Sequence, residues 1–226
     1  MSWLTDLLGV YGRVLRRAFE LTLKHWWLGP VAIGYLGVFF TLAIVASQLG
    51  FAGGFLLAIG MAALMSSWLV LVGHVVRNGR VTIADIPESF LVYLGDVITF
   101  LFFRMLLNWV ANAAFADVSY VAIVFDLAVL VFLNAAPEQI YLGGNTGLAV
   151  FVESYRFVGT YWIEWLPATA LFIVLLFAVS LVPVPVVALV LGGIVMAFGF
   201  IARGLLFLEL TTSSRRAREF ARRSAG

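Results

Sequence analysis

Six runs of about twenty apolar residues decide what this chain can become, because a helix needs about that length to cross the hydrocarbon of a bilayer. They are Gly29 to Gln48, Phe51 to Val76, Asp96 to Ala116, Val118 to Ala136, Trp165 to Val182 and Val184 to Glu209. The runs come in pairs with almost nothing between their members: Leu49-Gly50, Asp117 and Pro183. Gaps that short force helical hairpins, since backbone without internal hydrogen bonds is not tolerated in lipid. Pro183 and Pro185 suit a helix stop and restart. Ten-residue segments of strict alternation are lacking, which disfavours a transmembrane β-barrel.

Composition excludes the competing classes. Of 226 residues, 63% are hydrophobic and 12% charged, with a mean hydropathy of +1.07. Soluble domains average about 45–50% and about 25%, and no single soluble core of this length hides so much apolar surface. With no cysteine there is no disulfide framework, thiol chemistry or Cys-ligated metal. The two histidines, His25 and His74, have no acidic companions at metal-ligand spacing. The chain also lacks His-Glu-x-x-His, the phosphate-binding Gly-Lys loop, Gly-x-Ser-x-Gly and the dinucleotide fingerprint. No catalytic activity, metal or cofactor is expected. A net charge of +2 gives no case for nucleic-acid binding.

The placement of the few charges says more than their number. Arg13, Arg16, Arg17 and Lys24 precede the first span, and Arg77 and Arg80 lie between the second and third. Arg156 lies between the fourth and fifth, and Arg215, Arg216, Arg218, Arg222 and Arg223 follow the sixth. Twelve of the fourteen basic residues therefore fall on one side, and the three opposite tips carry none. The positive-inside rule then predicts six spans with both termini cytoplasmic. Arg outnumbers Lys 13 to 1, as in bacteria with G·C-rich genomes, which points to a bacterial inner membrane. The N-terminus does not read as a signal peptide, because its basic cluster follows rather than precedes its apolar residues.

The segments on the basic side share a plan. In the first, Leu4, Leu7, Leu8, Tyr11, Leu15 and Phe19 fall on one helical face, with Asp6, Arg13, Arg16, Arg17 and Glu20 largely elsewhere. This is the pattern of a helix lying on the membrane surface; the alternative is a plain basic flank of the first span. In the second, Thr82-Ile83-Ala84-Asp85 has capping-box spacing and Pro87 falls in a first helical turn. In the third, Gly143-Gly144-Asn145-Thr146-Gly147 is a strong turn signal before a helix. Phe19, Phe90 and Tyr155 anchor the three segments, and Trp26, Trp27, Trp162 and Trp165 stand where an aromatic belt belongs. Duplication explains this pattern, and so does the plain need for an amphipathic lead-in to each hairpin.

The expected fold is thus an all-α polytopic membrane protein with six transmembrane helices in three hairpins, each preceded by an amphipathic interfacial helix. As a single membrane domain over 1–226 it divides into an interfacial helix (1–28), hairpin one (29–76) and a second interfacial helix (81–95). Hairpin two (96–136), a third interfacial helix (146–164), hairpin three (165–210) and a basic tail (211–226) complete it.

Several stretches carry a family resemblance: Phe19-Glu20-Leu21-Thr22-Leu23-Lys24-His25-Trp26-Trp27, Glu138-Gln139-Ile140-Tyr141-Leu142-Gly143-Gly144, Glu153-Ser154-Tyr155-Arg156-Phe157 and Trp162-Ile163-Glu164-Trp165. With the six-span layout they resemble a broad group of uncharacterised bacterial proteins similar to the glycerophosphoryl diester phosphodiesterase membrane domain. In that group the membrane domain is not the catalytic part, so the resemblance implies a fold more than an activity.

Polar residues inside spans are the functional candidates, because an ionisable group at a helix centre costs about 2.5–3.5 kcal/mol on insertion scales. Arg104, Asn108 and Asn112 recur every four residues as one stripe on the third span, and Asp126 lies mid-way along the fourth. Asn108 and Asp126 each stand nine residues from Asp117, hence level in a hairpin, with Arg104 one turn away. That spacing predicts an Arg104–Asp126 pair bridged through Asn108. It serves either as a clamp fixing the hairpin or as part of a translocation path or lipid-headgroup site. Arg203 and Glu209 on the sixth span are expected to snorkel to the headgroups. Glu138 and Glu164 are expected near water. Small residues at Ala188/Gly192 and Gly193/Ala197 allow close packing, within the bundle or against another subunit.

The expected role is a non-catalytic membrane subunit that packs against partner membrane proteins, a second copy of itself, or lipids. Arg13, Arg16, Arg17 and the five tail arginines, Arg215, Arg216, Arg218, Arg222 and Arg223, would meet anionic headgroups or a docking partner. The alternative is a small-solute or lipid transporter or channel using the stripe on the third span.

Overall fold

The computed structural model describes residues 2–115 and 119–212; among them every regular element is helical. The elements are α1 (Ser2–Lys24), α2 (Leu28–Gln48), α3 (Gly50–Asn78), a 3-10 turn (Ile83–Asp85), α4 (Ile86–Ser89) and α5 (Leu94–Ala114). They continue with α6 (Ser119–Phe132), α7 (Ala136–Tyr141), α8 (Ala149–Ser180) and α9 (Pro185–Thr212). Six segments are long and apolar enough to cross a membrane: Leu28–Gln48, Gly50–Asn78, Leu94–Ala114, Tyr120–Tyr141, Ala149–Ser180 and Pro185–Thr212. The chain is an all-α polytopic membrane protein.

The chain forms two compact units. One gathers the described residues of Met1–Gly37, Val72–Val81 and Ile163–Gly226, the other Val38–Leu71 and Thr82–Trp162.

In the first unit α1 packs along α9. Two faces of α1 are distinguished by residue size. Val10, Val14, Ala18 and Thr22 are buried, whereas Leu8 and Phe19 are 66% and 59% exposed. Small side chains let two backbones approach, and large apolar ones facing lipid carry no penalty. A membrane-associated helix therefore turns its smaller residues inward. Arg13 closes the contact by an ion pair to Glu209 of α9 at 2.9 Å. At the end of α1, Lys24 Nζ donates to the Gly79 carbonyl at 2.9 Å, with His25 Nε2 3.2 Å from the same oxygen. Gly79 ends α3 with φ +63°, a left-handed helix stop that glycine supplies without steric cost. Gly193 of α9 is buried against α2: a Cβ there would lie 2.6 Å from the Gly29 carbonyl oxygen. The Gly193/Ala197 stripe thus packs within the chain.

In the second unit Leu49 and Gly50 join α2 to α3, with Gly50 at φ +54°. The hairpin is tight enough that a Cβ on Gly53 would overlap the Ala46 carbonyl. The second lead-in is shorter than the helix expected over 81–95. Asp85 Oδ2 accepts the Thr82 N–H at 2.8 Å, and Pro87 lies in the first turn of the four-residue α4. Beyond it, buried serines hold the chain to α3: Ser67 bonds Ser89, and Ser66 Oγ accepts the Tyr93 N–H at 2.9 Å. These side-chain bonds compete with helix continuation. The third lead-in and fifth span follow directly on one another in α8, as two helices separated by a kink at Tyr161 (φ −117°, ψ 21°). The turn before it is secured by the Asp96 carboxylate, which accepts the Gly147 N–H at 3.2 Å.

Candidate functional site

The α5–α6 hairpin carries charged and amide side chains on segments apolar enough to be spans. Apolar composition makes both helices spans, and the four-residue spacing of Arg104, Asn108 and Asn112 gathers them on one face of α5. Asn112 Nδ2 donates back to the Asn108 carbonyl at 2.9 Å and also meets its side-chain oxygen. Arg104, Asn108 and Asp126 line one open groove of about 370 Å³, with Ile123, Leu127 and Leu130 completing its wall. Arg104, Asn108, Asn112 and Asp126 are all exposed.

The Arg104–Asp126 ion pair expected from the spacing does not form, unlike those of Arg13 with Glu209, Arg16 with Glu20 and Arg156 with Glu153. Both groups face the same groove but stay apart, and Asn108 turns to Asn112 instead of bridging them. Arg104 lies ten residues from the end of α5 and Asp126 seven from the start of α6. At about 1.5 Å per residue they sit roughly one turn apart in depth. Residues 116–118, including Asp117, from which the expected register was counted, lie outside the described residues.

A second polar cluster is buried in the first unit. Tyr11 of α1 donates its hydroxyl to the Glu164 carbonyl of α8 at 2.5 Å. Next along α8, Trp165 is fully buried, and the Arg203 guanidinium of α9 lies 4.8 Å from its ring centroid. A cation over an indole face is attracted by the ring quadrupole. Arg203 is buried rather than snorkelling, Trp165 is a core residue rather than a belt residue, and Glu164 is 6% exposed rather than near water. The charge of Arg203 was legible in the sequence; its ring partner, 38 positions earlier, required the tertiary contact. Burial pushes the Tyr11 hydroxyl from 10.0 up to about 12, the Glu164 charge adding to the rise and a backbone bond at Ala168 opposing it.

A third cluster surrounds α7 in the second unit. Glu138 is fully buried, against the expectation that water would be close. Gln139 donates to the Glu153 carbonyl at 3.0 Å and accepts from Asn145 at 2.8 Å. Ser154 Oγ donates to the Phe132 carbonyl at 3.0 Å. These bonds knit the end of α6 and the start of α8 around the Gly143-Gly144 turn, which gives the cluster a structural role.

Of the surface arginines, Arg13 is engaged by Glu209, Arg16 bonds Glu20 at 3.1 Å, and Arg17 is exposed. Arg215, Arg216, Arg218, Arg222 and Arg223 lie outside the described residues. Trp26 and Trp162 are exposed, as belt residues are.

Comparison with known protein families, curated proteins and solved structures returns no match to this chain. The functional argument therefore rests on the groove and the clusters themselves.

Proposed function

We propose that the protein is a non-catalytic accessory subunit of a bacterial inner-membrane assembly, with both termini cytoplasmic, and that the α5–α6 face is where another chain packs. One observation carries this reading: Arg104 and Asp126 are exposed on helices that otherwise qualify as spans. Left against lipid, the two would cost on the order of 5–7 kcal/mol at a helix centre. A packed neighbour that offers hydrogen bonds and opposite charge removes most of that penalty. The orientation is supported by the twelve basic residues that fall on one side. Anionic headgroups fit the exposed Arg17 and the tail arginines. The resemblance of the sequence to membrane domains of the glycerophosphoryl diester phosphodiesterase group implies the same non-catalytic role.

The groove's volume and mixed lining also support a second reading, a small-solute or lipid pathway along the stripe. Purification in a mild native detergent separates the two. The subunit reading expects a stable multi-chain assembly that Arg104→Leu with Asp126→Leu disperses. A lone monomer that moves solute into liposomes would replace it with the transporter reading.

A further inference from the structure

The groove on α5 and α6 holds one cation and one anion, and that restricts what can cover it. We propose that its occupant is a second copy of this chain, related by a two-fold axis along the membrane normal, with Arg104 of each copy paired to Asp126 of the other. This rests on the reading that the face is buried against another protein chain.

Charge narrows the field first. A covering surface must bring an anion to Arg104 and a cation to Asp126, since both line the groove and neither is paired to the other within the chain. An apolar helix brings neither. A phospholipid headgroup brings a phosphate, and in some lipids an ammonium as well, but at the wrong depth. Arg104 is the middle residue of α5, about 15 Å from either end at 1.5 Å per residue. Asp126 is about 10 Å from the start of α6. Headgroups lie outside the hydrocarbon, beyond those helix ends.

Symmetry supplies the rest. An isologous interface makes every contact twice, so a face with one charge of each sign complements itself. An axis along the membrane normal keeps depth unchanged, so each Arg104 meets an Asp126 about one turn away, a difference the long guanidinium side chain spans. Asn108, between them on α5, faces its symmetry mate across the axis. Ile123, Leu127 and Leu130, all exposed on the wall of the groove, supply apolar contact around the charges.

The test uses two differently tagged full-length variants. Arg104→Asp leaves a face with two acids, and Asp126→Arg leaves a face with two arginines. Each should self-associate at least roughly tenfold more weakly than wild type, because like charges meet at both contacts. Co-expressed, they should purify as a one-to-one heterodimer, since every contact is then between opposite charges. Recovery of that heterodimer also shows that both variants fold. Should either be degraded when expressed alone, Leu127→Cys in the otherwise cysteine-free chain should give an oxidised dimer that Val186→Cys, exposed on α9, does not. A monomeric wild type, or variants that pair with themselves as readily as with each other, overturns the proposal. A different chain that co-purifies with wild type and is released by Arg104→Asp overturns the second copy while leaving the accessory-subunit reading standing. Lipid bound in the groove of a monomer overturns both.

Discussion

At the scale of single residues, Tyr11 joins α1 to α8 and Trp165 joins α8 to α9. Tyr11→Phe keeps the ring and loses the bond to the Glu164 carbonyl. Thermal unfolding in detergent should show a loss of about 1 kcal/mol. The same hydroxyl sets an alkaline limit. Its folded value, about 12, lies above the unfolded 10.0, so folding favours the protonated form. The stability it contributes is complete below pH 10.0 and is lost as pH rises toward about 12. The unfolding midpoint of Tyr11→Phe should fall less over that interval than that of wild type. Trp165→Ala removes a fully buried indole and the ring beneath Arg203. It should destabilise by about 3–5 kcal/mol, the range for large aromatic-to-alanine changes in cores. An unfolding midpoint unchanged in this variant would contradict the placement of Arg203. Neither partnership was legible in the sequence, because the spacing of Arg203 and Trp165 along the chain carries no information about a contact made by folding.

Between elements, close approach depends on small residues, and two glycines make opposite predictions. A methyl on Gly193 would lie 2.6 Å from the Gly29 carbonyl oxygen and 3.0 Å from Ile33. Gly193→Ala should force α9 from α2 and cost about 1–3 kcal/mol, as overpacking does. Nothing lies within 4 Å of a methyl added to Gly12 on α1. Gly12→Ala should therefore be neutral or stabilise by about 0.5–1 kcal/mol, because alanine favours the helix. Parallel unfolding curves decide both. The small-residue stripe on the sixth span was visible in the sequence, although its partner was not. The face that α1 turns toward the protein, Val10, Val14, Ala18 and Thr22, has a physical reason that no sequence pattern announced. Hydrophobicity places large residues inward only when water is the alternative, and beside lipid Leu8 and Phe19 have no reason to turn in.

For the molecule as a whole, topology is the property to test. Fusions of a cytoplasm-active fluorescent protein to either terminus should fluoresce, and a periplasm-active phosphatase inserted at Asp117 should be active. A phosphatase active at either terminus would invert the proposed orientation. Helix number, hairpin pairing and this expected orientation all come from the sequence. They depend on quantities additive along the chain: the apolar length needed to cross hydrocarbon and the side on which each basic residue falls. Where each polar residue points is not additive. The spacing of Arg104, Asn108 and Asp126 put them at comparable depth, and the groove indeed holds all three, yet the ion pair is open and the face is exposed. Glu138, Glu164 and Arg203 read as interfacial and are buried. The sequence by itself determined the membrane class, the six spans and the stripe. Only the tertiary structure decided which charges are buried and which are exposed. The physical reason is that a charge in a membrane is stabilised by its surroundings on every side, and most of those come from distant parts of the chain.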